Sequence, residues 1–150
     1  CGAGELTVAL AARCDAVLAS DFSARAVASA RRRTAGLANV RVVSHALPDG
    51  WPHDEAPFDL IVVCELGYFL DAPAMCTVAE HCAASLTPDG VLVACDWRPD
   101  FDERALSTDA VHGAFASTGL ARTVRHAEDD FLLELWCRDA RSVAQREGIR

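Results

Sequence analysis

The stretch that most limits what this chain can fold into is its opening, residues 1–21. Cys1-Gly2-Ala3-Gly4-Glu5 is a glycine-rich turn that runs directly into a helical stretch, Glu5 to Arg13. A short apolar strand follows, Ala16 to Ser20, closed by Asp21. Loop, helix, strand and terminal carboxylate come in the order of a nucleotide-binding α/β unit. Glycines lack a Cβ and let backbone N–H groups approach a ligand, and the helix N-terminus behind them favours electron-rich groups. Asp21, nineteen positions after Gly2, is placed to accept hydrogen bonds from a ribose diol. Two plainer readings stay open: a tight βα turn for the glycines, and helix capping for Asp21. The strand that would lead into this turn is absent, so the expectation is a fragment of a longer protein. Loss of that strand would leave backbone hydrogen-bonding groups without a partner, so the fragment alone would bind cofactor poorly and tend to aggregate.

Further along, Ser23 is an N-cap for a helix from Ala24 to Thr34. Arg31-Arg32-Arg33 ends it, most simply as a solvated helix end, and Gly36 breaks the chain. Val40 to Ser44 reads as a strand, and His45 to Pro57 as a loop. Phe58 to Cys64 is the most continuous apolar run, suited to a parallel strand buried on both faces. Pro73 opens a helix ending near Leu86. Thr87-Pro88-Asp89-Gly90 is a turn, and Val91 to Cys95 another buried strand. A polar loop from Asp96 to Arg104 precedes a helix of about Thr108 to Thr118. Strands at Leu120 to His126 and Phe131 to Cys137 are joined by so few residues that they must pair antiparallel. Residues 1–139 form the domain, and Ala140 to Arg150 a polar tail.

Composition narrows the function. One domain's worth of chain carries 51% hydrophobic residues and a net charge of −8, which argues against nucleic-acid and anionic-membrane partners. All 14 basic residues are Arg, so Schiff-base and phosphate-loop lysines are excluded. Seven cysteines without a C-x-x-C pair imply a reducing, cytoplasmic compartment without disulfides. The scattered histidines offer no metal-ligand spacing, so no metal is expected.

Gly2 and Gly4, Asp21 at that spacing, the FDLIVV strand, the TPDG turn and the final hairpin together resemble the class I S-adenosylmethionine (SAM)-dependent methyltransferases. The implied fold is Rossmann-like α/β, a mostly parallel sheet with a C-terminal antiparallel hairpin, and in the strand order this resemblance implies the missing first strand would be the sheet's centre. A dinucleotide-type G-x-G-x-x-G would need glycine at position 7, where Thr7 stands. Three segments resemble a narrower group, the nodulation-protein-S-like methyltransferases: Ala46 to Pro52, Cys64 to Leu70, and Asp96-Trp97-Arg98. That resemblance implies methylation of a small-molecule acceptor, such as the nitrogen of an amino sugar.

By the same resemblance, the backbone of Cys1, Gly2, Ala3 and Gly4 would hold the methionine part of SAM, and Asp21 the ribose hydroxyls. Phe22 would pack on the ribose–adenine face, with Ala46 and Leu47 at the adenine edge. Glu65 and Leu66 would lie beside the sulfonium and the acceptor. Glu65 either takes or orients the acceptor's proton or only holds the cofactor. Tyr68, Trp97 and Arg98 would line the acceptor pocket, the alternatives being core packing for Tyr68 and an exposed loop for Trp97-Arg98. An NAD-dependent oxidoreductase and a non-catalytic methyltransferase-like binding domain are the competing functions. Thr7 and the terminal hairpin count against the first, and Asp21 with Glu65 against the second.

Overall fold

The computed structural model describes residues 1–150, apart from the side chain of Val143. The chain forms two compact units, Cys1–Trp51 and Pro52–Arg150.

In the first unit, α1 (Glu5–Ala11) and β1 (Val17–Asp21) are followed by α2 (Ala24–Thr34) and β2 (Val40–Ser44). β1 and β2 pair in parallel, from Val17 opposite Val40 to Asp21 opposite Ser44. Ala19, Val27, Ala30 and Val42 form the buried core, where the apolar faces of α2 and the two strands meet. Ser23 caps α2 as its sequence position implies, its side chain accepting from the Ala26 N–H at 3.4 Å. The arginines at the end of α2 differ from the expected solvated end. Arg31 donates twice to the Val42 carbonyl, at 3.0 and 2.9 Å, and ties α2 to β2. Arg33 donates to the Ala3 carbonyl at 2.8 Å and pairs with Glu5 at 2.7 Å. A guanidinium on a long stem reaches the backbone of the opening bend, which charge pattern alone does not reveal.

The second unit holds β3 (Phe58–Cys64), α3 (Ala72–Ser85), β4 (Leu86–Trp97), α4 (Thr108–Ala116), β5 (Ala121–Ala127), β6 (Phe131–Cys137) and a short α5 (Val143–Arg146). Its sheet has the order β3-β4-β6-β5. β3 and β4 are parallel, and β6 is antiparallel to both β4 and β5, so the expected hairpin is present. This is the Rossmann-like α/β class that the sequence implies. Trp136, Phe115, Met75, Leu92, Val78 and Val111 are its largest fully buried apolar side chains. Among the described residues, no helix is long and apolar enough to cross a membrane.

Three expectations need correction here. β3 is the end strand of its sheet, and Leu60 is 38% exposed, so the run is not buried on both faces. Thr87 to Gly90 is not a free turn before the strand. β4 already begins at Leu86, and the ladder jumps from Phe58–Leu86 to Leu60–Val91, so those four residues bulge opposite Asp59. The Thr87 hydroxyl donates to Asp59 at 3.2 Å and holds that bulge. Finally, Asp96 and Trp97 belong to β4 rather than to a polar loop.

Asp96 is completely buried and faces His112 of α4, which also faces the buried Glu134 of β6. His112 Nδ1 and Glu134 Oε2 are 2.9 Å apart and hydrogen-bonded. His112 Nε2 lies 3.2 Å from Asp96 Oδ2, an ion-pair distance without hydrogen-bond alignment. Glu134 is further held by Arg122 at 2.8 Å and Arg125 at 3.1 Å. One imidazole therefore bridges two buried carboxylates, and so joins β4, α4 and β6.

Candidate functional site

In the first unit, the opening bend turns on two glycines in the left-handed region, Gly2 (φ 53) and Gly4 (φ 89). Only glycine holds such angles without strain. At Gly4 a Cβ would also come within 3.1 Å of the Ala30 backbone, so this turn closes tightly on α2. Asp21, the last residue of β1, lies against the bend. Its Oδ2 accepts from the Gly2 N–H at 3.0 Å and from the amino group of Cys1 at 2.9 Å, while Oδ1 accepts from the Ser23 N–H at 2.9 Å. Burial works to raise the Asp21 pKa, but the hydrogen bonds from Ser23, the amino group and Gly2 outweigh it and hold the carboxyl below its ordinary value. Asp21 thus stays ionised and fixes the bend that the sequence pairs it with. Phe22 beside it is 67% exposed, a free aromatic face next to the acid. Ala46 is exposed and Leu47 half-buried just beyond the end of β2.

In the second unit, β3 delivers the chain to Glu65, a non-glycine residue at φ 54. Left-handed backbone at a glutamate is strained by about 1–3 kcal/mol, and such positions cluster at functional sites. The exposed Glu65 carboxylate is held from two sides: Oε1 accepts from the Trp97 N–H at 2.9 Å, and Oε2 accepts from the Tyr68 hydroxyl. Burial, followed by the hydrogen bond to Glu65, pushes the Tyr68 phenol well above its ordinary value of 10.0. Tyr68 therefore remains protonated and donates, so among the pair Glu65 is the proton acceptor. Next to Leu66, Gly67 allows a very close approach, since a Cβ there would lie 2.4 Å from Val111 and 2.9 Å from the Met75 sulfur.

Tyr68 is buried, so its packing role and its contact with Glu65 coexist. The Tyr68 carbonyl accepts from the Ala105 and Leu106 N–H groups at 2.7 and 3.2 Å, which seats the loop after β4 against it. Sequence reasoning missed what that loop brings. Arg104, with a side chain only 8% exposed, lies over both Tyr68 and Phe101, its guanidinium 5.0 and 4.9 Å from two rings that touch each other edge-on at 5.1 Å. Its guanidinium donates to the Trp97 carbonyl at 2.6 Å and to the Thr108 hydroxyl at 3.2 Å. Thr108 in turn donates to the same carbonyl at 2.5 Å. The Trp97 backbone is thus held twice, at its N–H by Glu65 and at its C=O by Arg104 and Thr108. Trp97 itself is 41% exposed, and Arg98 donates to the Glu128 carbonyl at 2.6 Å. This packing of an arginine on a pair of touching rings was signalled only by Phe101 and Arg104 standing three apart in an otherwise polar loop.

A glycine bend bound to the acid at the end of the next strand, with a strained carboxylate at the end of a later one, defines a Rossmann-like nucleotide-binding α/β protein. The chain belongs to the methyltransferase domain family, which it matches over residues 1–90. It is 43% identical to a candidate methyltransferase from Pseudomonas syringae, with 91% of this chain and 81% of that one covered and a TM-score of 0.78. The N-methyltransferase NodS from Bradyrhizobium japonicum WM9, in complex with S-adenosyl-L-homocysteine (SAH), is 24% identical with a TM-score of 0.77; the match covers 89% of this chain and 72% of NodS. A second NodS structure is 25% identical, with a TM-score of 0.73 and coverage of 91% and 80%. None of the curated proteins compared matches the chain.

Proposed function

We propose that this chain transfers a methyl group from SAM to a small acceptor, and that the acceptor atom is the nitrogen of an amino sugar or similar amine. The observation that carries the reading is the Asp21 carboxylate on the Gly2 N–H at 3.0 Å, an ionised acid fixed beside a glycine bend. The SAH complex of the related NodS supports the cofactor, and its N-methyltransferase activity supports the accepting atom. With Asp21 fixed, its remaining lone pairs are free to accept from ribose hydroxyls. Phe22 offers its exposed ring to the nucleoside, and the backbone of Cys1, Ala3 and Gly4 the surroundings of the amino-acid end. Ala46 and Leu47 carry no acceptor side chain, so their backbone groups serve the adenine edge. Bound SAM supplies an electrophilic methyl group on a sulfonium.

The protein's part is alignment and water exclusion. An amine attacks only when neutral, and Glu65 provides a carboxylate to accept its N–H. Trp97 and Tyr68 each fix one Glu65 oxygen, so the carboxylate is oriented before the acceptor arrives. Trp97, 41% exposed, offers its ring to the acceptor, while the buried Tyr68 acts through its hydrogen bond to Glu65, and Leu66 follows that carboxylate in the chain. A labelled-methyl assay with SAM and glucosamine oligomers tests this reading. Methyl incorporation that disappears in Asp21→Ala supports it, and absence of SAH binding to the unsubstituted chain refutes it.

A further inference from the structure

A hollow of about 300 Å³ is lined by Arg98, Arg104, Ser107, Thr108, Asp109 and Asp129, and two of these, Arg104 and Thr108, bond the carbonyl of Trp97, whose N–H donates to Glu65. Its two cations are bonded only to neutral oxygens. Arg104 donates to the Trp97 carbonyl and the Thr108 hydroxyl, and Arg98 to the Glu128 carbonyl. The Arg104 side chain is more than nine-tenths buried, yet its Nε has no hydrogen-bond partner. The carboxylate it pairs with, Asp100, stands at 3.9 Å and is 94% exposed, a pairing that water screens. Among the described residues, neither Arg98 nor Arg104 has a carboxylate within hydrogen-bond distance. A buried guanidinium that lacks a close counter-anion carries a desolvation cost that an incoming oxyanion would offset. This arrangement occurs in a chain of net charge −8, where carboxylates are abundant and pairing would be easy.

We propose that this hollow is an oxyanion subsite for the methyl acceptor, taking the carboxylate or phosphate of a small acidic amine whose nitrogen lies at Glu65. The inference rests on Glu65 marking where the acceptor's nitrogen sits, and it names the acceptor's second handle. The Trp97 backbone ties the two together: Glu65 accepts from its N–H at 2.9 Å and Arg104 donates to its carbonyl at 2.6 Å, so both side chains meet on one residue and nitrogen and oxyanion lie a short span apart. That is the scale of an amino acid or a monosaccharide and too short for the far end of a long oligomer. Arg98 and Arg104 retain N–H donors for a two-pronged grip on the oxyanion. Asp109 and Asp129 on the rim accept from the acceptor's hydroxyl or ammonium groups, and disfavour a purely anionic ligand that lacks them.

The test is calorimetric titration of the full chain with glucosamine, glucosaminuronate and glucosamine phosphate, with and without SAH. The acids should bind about tenfold more tightly than glucosamine, the worth of a charge-assisted hydrogen bond. The better of the two identifies the oxyanion. The preference should vanish in Arg98→Gln and in Arg104→Gln. Should Arg104→Gln fail to fold, Arg98→Gln decides alone. Equal binding of acid and neutral amine, no binding of any of them, or a preference kept in the folded variants overturns the subsite. Binding of SAH is read separately. Acid preference without SAH binding removes the methyl-transfer reading and leaves the subsite, and SAH binding without acid preference does the reverse.

Discussion

Replacing His112 by alanine should destabilise the second unit by about 3 kcal/mol, the lower end of the cost of removing one partner from a buried ion pair. The structure says why the lower end applies. Glu134 keeps Arg122 at 2.8 Å and Arg125 at 3.1 Å after the imidazole is gone. Asp96 keeps nothing comparable: it is completely buried, neither of its oxygens has an aligned hydrogen bond, and His112 at 3.2 Å is its ion-pair partner. For a chain of 150 residues this corresponds to a fall in Tm of about 6–12 °C. Trp136, completely buried and 5.6 Å from the imidazole, reports the unfolding by fluorescence in a urea titration. Removing Asp96 as well should restore stability, because the uncompensated carboxylate is then gone. The double variant Asp96→Ala, His112→Ala is therefore expected to be more stable than His112→Ala alone. A loss below about 1 kcal/mol in His112→Ala, the level of an exposed pair, or a double variant less stable than the single one, would refute this account of the triad.

Other outcomes follow from the site. Glu65→Gln should lower the methyl-transfer rate about 100-fold if Glu65 takes the acceptor's proton, with SAH affinity unchanged in a titration. An unaltered rate would assign the carboxylate to binding. Gly67→Ala should cost about 1–3 kcal/mol by denaturant unfolding, since the new methyl meets Val111 at 2.4 Å; Val111→Ala in the same chain should recover part of it. Acid should loosen the opening bend. The folded-state pKa of Asp21 is depressed, so its stabilisation is complete above the ordinary value of 3.8 and is lost as pH falls below that through the folded pKa. Amide exchange at Gly2 and Ser23, followed down to that range, should accelerate in the unsubstituted chain but be fast at all pH values in Asp21→Asn.

The elements were largely legible because their signals are local. Ser23 before a run of helix formers, Pro73 in the first turn of its helix, and two short strands with too few residues between them for a crossover each fix a boundary by short-range chemistry. The opening bend was legible for the same reason, as Gly2 and Asp21 do meet. What escaped depends on distant partners. Asp96 looked like the start of a polar loop, and its burial becomes visible only when α4 places His112 over β4. Thr87 to Gly90 carries turn residues, and the chain does depart from the ladder there, but as a bulge pinned by Asp59 across the sheet. Arg104 looked like one more loop charge until the fold set it over the paired rings of Tyr68 and Phe101. The strain at Glu65 has no sequence signal at all, since nothing in the residue type foretells a left-handed backbone.

The central claim is that Asp21 and the bend it fixes hold the nucleoside of SAM. Calorimetric titration of SAH into the unsubstituted chain and into Asp21→Ala tests it most directly. Saturable binding that weakens at least about tenfold in the variant, with Tm of the second unit unchanged, is the expected result. Equal affinity in both chains would contradict it.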